Sequence, residues 1–119
     1  MSQPCTAIEL LLVDVRALES EETRAVVMRA NELSIACGLL SLEPDVASAI
    51  VLLNMPEAFD FWFGGNGSSL PLERAVEFLT VTSPRVMLIS DDAQSRAEAS
   101  ERGIHPFAST TPDLERTLG

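Results

Sequence analysis

Arg85-Val86-Met87-Leu88-Ile89-Ser90-Asp91-Asp92-Ala93-Gln94-Ser95-Arg96-Ala97-Glu98-Ala99-Ser100-Glu101-Arg102-Gly103-Ile104 is the stretch that decides the fold. Val86 to Ile89 is a short apolar run with β-branched ends, which marks a buried strand, and two aspartates stand where it stops. Beyond them Ala93, Ala97, Ser100 and Ile104 recur at helical spacing. These side chains let a helix lie close on a sheet, and Gly103 closes it. The unit is strand, acidic turn, helix, strand. Ligands of open α/β sheets sit in the crevice outside the carboxyl ends of the strands, which makes Asp91 and Asp92 candidate site residues. The same pair also reads as helix N-caps that favour the macrodipole.

Working outward, the pattern repeats. Ile8 to Val13 reads as a first strand ending at Asp14, and Ser20 opens a helix with Glu21 and Glu22 in its first turn and Val26, Val27, Ala30 and Leu33 as its apolar stripe. Ile35 to Leu40 is a second buried strand ending at Ser41. Glu43-Pro44-Asp45 starts the next helix, with Val46, Ile50 and Leu53 facing inward. Phe59-Asp60-Phe61-Trp62-Phe63 alternates as a third strand, and Gly64 to Ser69 is a turn. Pro71 suits a first helical position, with Leu72, Ala75, Phe78 and Leu79 as the core face. After the quoted stretch come a strand over Ile104 to Ala108 and a short helix from Pro112 to Leu118. Strands and helices thus alternate, which predicts an α/β three-layer sandwich with a mostly parallel sheet of about five strands in a single domain spanning residues 1–119. With the first strand between the second and fourth, Asp14, Ser41 and the Asp91–Asp92 pair converge on one rim.

The bulk composition narrows the function classes. Eighteen acids against eight bases give a formal charge of −10, which disfavours nucleic acid and anionic lipid as partners. All the bases are arginine, and the chain has neither lysine nor tyrosine. Cys5 and Cys37 lack the spacing of a metal or redox motif and read as free thiols of a reducing compartment. No apolar run is long enough to span a bilayer, so a cytoplasmic protein without membrane attachment is expected.

The chain resembles the haloacid dehalogenase (HAD) superfamily, most closely its 2-haloacid dehalogenase and phosphatase branch. The resemblance is carried by Gly38-Leu39-Leu40-Ser41, Phe59-Asp60-Phe61, Arg85 to Asp92, and Ala97 to Ile104 with the strand that follows. It implies a Rossmann-like core, a nucleophile at Asp14, a phosphate-binding hydroxyl at Ser41, and Mg²⁺ held by Asp14 with Asp91 and Asp92. Such chemistry is coherent, because a hard cation takes carboxylate oxygens and lets an anionic nucleophile approach a phosphoryl group.

The chain departs from the family pattern at three places. The acid-base aspartate two residues after the nucleophile is replaced by Arg16, which cannot release a proton at useful pH. The lysine of the third motif aligns with Leu70-Pro71. The substrate cap is missing, since one helix separates Asp14 from Ser41 and the Gly64–Ser69 turn is too short for an inserted domain.

Two readings of Arg16 stay open: a guanidinium that neutralises Asp14 and Asp91, standing in for the lysine or the metal, or a turn residue pointing at water. Ser41 reads equally as a helix cap. His105 reads as structural, the Glu19–Glu22 cluster as a solvated helix start, and Trp62 with Phe61 and Phe63 as core and edge packing or an aromatic contact surface.

The leading expectation is a degenerate, capless HAD-like domain acting as a protein-binding or regulatory subunit, partnered by another protein or by itself. The first alternative is a slow Mg²⁺-dependent phosphatase with Asp14 as nucleophile and Arg16 as phosphate clamp. A PIN-like metal nuclease built on Asp14, Asp91 and Asp92 is the third, opposed by the acidic charge.

Overall fold

A computed structural model describes residues 8–42, 58–65, 70–79, 85–111 and 114, without the side chains of residues 76, 78 and 79. The expected helix from Glu43, the tip of the glycine-rich turn, the core role expected of the Phe78 and Leu79 side chains, the expected terminal helix from Pro112, and Cys5 lie outside what the structure describes.

The elements in order are β1 (Leu10–Asp14), a 3-10 helix (Val15–Glu19), α1 (Glu21–Glu32), β2 (Ala36–Ser41), β3 (Phe61–Gly64), α2 (Leu72–Leu79), β4 (Val86–Ile89), α3 (Ala93–Glu101) and β5 (His105–Phe107). They form one sheet in the order β3-β2-β1-β4-β5. All four pairings are parallel. β1 therefore lies between β2 and β4, as convergence of the rim requires. Among the described residues no helix is long and apolar enough to cross a membrane.

The strand sequences explain the layering. Side chains alternate across a strand. Leu11 and Val13 of β1 pack with Val26, Val27 and Ala30 of α1 on one face, and Leu10 and Leu12 pack with Leu72, Ala75 and Ala99 on the other. With helices on both faces, β1 and β4 are buried along their whole length and read as unbroken apolar runs. At Gly38 an added Cβ would stand 3.0 Å from Cε2 of Phe61 and 3.1 Å from Cδ2 of Leu12, so the missing side chain makes room for both neighbours.

Some expectations are corrected. β3 begins at Phe61 rather than Phe59, because the Asp60 carboxylate itself accepts the Cys37 backbone N–H at 2.9 Å and takes the place of a ladder carbonyl. Trp62 is 45 % exposed, so it is not core, whereas Phe61 and Phe63 are half-buried with ring centroids 6.0 Å apart. Leu33 is the exposed C-cap of α1 and not part of its stripe.

α3 is rotated from the expected face. Ser95 and Ala99 are buried while Ala93, Ala97 and Ser100 are exposed. An alanine- and serine-rich helix lacks a strong apolar stripe, so the cap geometry at Asp92 and the closure at Gly103, φ 81°, set its rotation. Cys37 is a buried free thiol, and burial pushes its pKa up to about 12. His105 is exposed at the start of edge strand β5, at the opposite end from the acidic rim.

Candidate functional site

The carboxyl ends of β1, β2 and β4 share one rim, because Asp14 is in register with Leu40 and Val13 with Ile89. Each then delivers a polar residue at the next step: Asp14, Ser41 and Ser90. The backbone turns at Asp14 into the 3-10 helix, and the Asp14 carboxylate caps that turn by accepting the Arg16 backbone N–H at 3.0 Å through Oδ1.

Asp14 is 1 % exposed, and its carboxylate is saturated. Arg16 folds back over it, donating Nε to Oδ1 at 3.1 Å and Nη2 to Oδ2 at 2.7 Å. Ser90 Oγ donates to Oδ2 at 2.8 Å from the end of β4. A carboxylate offers about four lone-pair sites. Two donors on each oxygen fill all of them. Of the two readings of Arg16, the fork on Asp14 is the one observed. Its side chain remains 52 % exposed on the outer side, and the hydrogen bond to Asp14 raises its pKa above the ordinary value, with the charges of Asp14, Asp92 and Asp91 adding to the effect.

The acidic pair divides. Asp92 is the N-cap of α3 and accepts the Ser95 backbone N–H at 2.9 Å and the Ser95 hydroxyl at 2.7 Å, both on Oδ2. Asp91 reaches to the loop after β5, where Ser109 donates its N–H to Oδ1 at 2.8 Å and its hydroxyl to Oδ2 at 2.7 Å. Hydrogen bonds to the ionised form hold both carboxyls below the usual range, from the Ser109 hydroxyl for Asp91 and the Ser95 hydroxyl for Asp92, with the Arg16 and Arg96 charges helping.

Their folded pKa values lie below the unfolded ones, so their contribution to stability is present above the unfolded value near pH 4 and disappears as pH falls through the folded values. Thermal melts should accordingly be flat from about pH 7 to 5 and descend below about pH 4. Asp91→Asn should make that acid limb shallower.

Ser41 is buried at the end of β2, where its carbonyl accepts the Gly65 backbone N–H at 2.7 Å. Its cap role toward the helix from Glu43 lies outside the described residues. Leu70, which the resemblance aligns with the third-motif cation, is buried in the core face with Leu72 and Ala75. A cavity of about 610 Å³ opens between the end of β3, α2 and α3, lined by Gly64, Leu70, Glu73 and Arg102 among others, and none of the rim residues faces it.

Sequence reasoning assigned no role to Ser90 or Ser109, yet these hydroxyls bind the rim together. Ser90 also accepts the Asp92 backbone N–H at 3.2 Å, and its carbonyl accepts Arg96 Nη1 at 2.8 Å. A serine directly after a buried strand and beside the aspartates was the available signal. Replacing Ser90 with alanine leaves Oδ2 of a buried carboxylate one donor short. Hydrogen bonds to charged groups contribute about 1.5–3 kcal/mol, so Ser90→Ala should destabilise the domain by about 2 kcal/mol in urea denaturation.

The site does not fit the Mg²⁺ that the family resemblance implies. The lone pairs of Asp14, the carboxylate that would have to anchor the ion, are all taken, while Asp91 is turned toward Ser109 with one donor on each oxygen and Asp92 toward Ser95 through Oδ2. Among the described residues no group of three or more His, Cys, Asp or Glu side chains is placed to hold a metal ion.

No protein-family model matches the chain, and no curated protein matches it in sequence. Solved structures do match in shape. A protein of uncharacterised function from Corynebacterium glutamicum superposes with a TM-score of 0.69 at 16% identity, over 93% of this chain and 91% of that one. A HAD-superfamily hydrolase, subfamily IA, variant 1, from Geobacter sulfurreducens gives 0.68 at 10% identity, over 86% and 89%. A HAD-superfamily hydrolase from Ehrlichia chaffeensis gives 0.67 at 17% identity, over 83% of this chain and 57% of that longer one. These likenesses establish the fold: a HAD-like α/β core, as the sequence led us to expect.

Proposed function

We propose that the chain is a HAD-like domain that has lost catalytic competence and acts by binding, as a protein-binding or regulatory subunit in the cytoplasm. The observation that carries this reading is the saturated Asp14 carboxylate. A nucleophile must present an unshared electron pair to its substrate, and here each oxygen already accepts two hydrogen bonds. Supporting it, the acid-base position is an arginine, the third-motif position is a buried leucine, and no lysine exists elsewhere in the chain. On this reading Trp62, exposed on edge strand β3, is the aromatic contact for another protein or a second copy.

The fold favours a second reading, a slow Mg²⁺-dependent phosphatase with Asp14 as nucleophile. The Arg16 fork opposes it, because a phosphate clamp would have to present to substrate the donors that here face Asp14. Ser41 keeps its proposed role as phosphate-binding hydroxyl only on that second reading. An assay with p-nitrophenyl phosphate and Mg²⁺ separates the two. No turnover above the Asp14→Asn control is expected, and turnover that Asp14→Asn abolishes would overturn the proposal.

A further inference from the structure

We infer that Arg16 is an internal cation, held where a divalent metal would neutralise the rim, and that it makes the folded domain independent of metal. The inference rests on the same account of Asp14 as the proposed function, but concerns what holds the site together rather than what it does. Three carboxylates, Asp14, Asp91 and Asp92, crowd the carboxyl ends of β1 and β4, and one of them is fully buried. A buried carboxylate needs a partner charge and hydrogen bonds to stay ionised.

Arg16 supplies both from two residues away. Its backbone N–H and its Nε meet Oδ1, and its Nη2 meets Oδ2. The planar fork matches the carboxylate in a way that a lysine ammonium cannot. The charge of the same guanidinium also favours the ionised forms of Asp91 and Asp92, as a smaller contribution beside their hydrogen bonds to Ser109 and Ser95. A dissolved Mg²⁺ would have to shed tightly held water and displace a tethered, bidentate partner from Asp14, and then draw Asp91 and Asp92 away from their bonds to Ser109 and Ser95.

The test is a set of thermal melts of the full chain. The native protein should melt at the same temperature in EDTA and in millimolar MgCl₂. Arg16→Met should melt several degrees lower, because the Asp14 charge then lies buried without its counterion. Arg16→Lys, which keeps the charge without the fork, should fall between the two. Adding Asp14→Asn to Arg16→Met removes that stranded charge, so the double variant should melt higher than Arg16→Met alone.

A rise in the native melting temperature with Mg²⁺ would overturn the inference. So would an Arg16→Met protein that melts like the native one, or a double variant that melts no higher than Arg16→Met. Phosphatase turnover by the native chain would refute the proposed function while leaving this coupling intact, and absence of coupling would refute the inference without creating an enzyme.

Discussion

Hydrolysis of a phosphomonoester by this chain in Mg²⁺ should fall on the order of 10⁴-fold or more short of a fully equipped HAD-type site. A positioned acid-base group contributes roughly 10²–10⁴ in rate, and on the proposed reading Arg16 stands where that group would act. One preorganised electrostatic contact to the transferring group contributes about 10²–10³, and the buried Leu70 offers none. Such losses are not additive, so the deficit falls short of the product of the two ranges. The deficit expected from the missing groups is deepened by geometry, since the lone pairs of Asp14, the residue proposed for the nucleophile position, are occupied. Restoring the acid by Arg16→Asp should not by itself restore turnover, because it puts a second carboxylate beside Asp14 without supplying a cation. Initial rates of native, Arg16→Asp and Asp14→Asn proteins prepared in parallel should coincide within the background. A native rate that exceeds that of Asp14→Asn by orders of magnitude would contradict this.

Leu12→Ala should cost about 3–4 kcal/mol, a loss of roughly 10–20 °C in melting temperature. Leu12 is fully buried on β1, the middle strand, in register with Gly38 on one side and Leu88 on the other. Its Cδ2 would lie 3.1 Å from a Cβ at Gly38, so it fills space that the glycine leaves open. Truncation therefore creates a void on the face covered by Leu72, Ala75 and Ala99, floored by strands that cannot close in without breaking the ladder. The urea midpoint should drop with the slope unchanged. A change under about 1 kcal/mol would mean that this face of the sheet collapses more freely than close packing allows.

Much of the fold was legible because a parallel strand buried on both faces must be an unbroken apolar run, and Leu10 to Val13 and Val86 to Ile89 satisfy that without help from neighbours. The candidate site was legible in part for a related reason. Asp14 and the Asp91–Asp92 pair are charges set directly after such runs, so their place at the carboxyl rim followed once the strands were assigned. α3 was harder. Its alanines and serines give no clear apolar face, and its rotation came from the Asp92 cap, which depends on where β4 ends. β3 was misjudged by two residues because a side-chain carboxylate, that of Asp60, substitutes for a ladder acceptor, an exchange that alternation cannot register.

The linear order of residues determined the alternation of strand and helix, the parallel sheet that this alternation implies, and the identity of the acids at the rim, since each of these is read from patterns only a few positions long. What Arg16 does was decided only by the folded chain. A long side chain at a turn can reach water or a carboxylate equally well, and the outcome depends on Ser90 arriving from β4, seventy-six positions away, to complete the cage that fixes Asp14 beneath the guanidinium. The same holds for Asp91, whose partner Ser109 lies eighteen residues on and across a strand. Hydrogen bonds between distant residues have no period to read, and that is why the contacts that close this site first become visible in three dimensions.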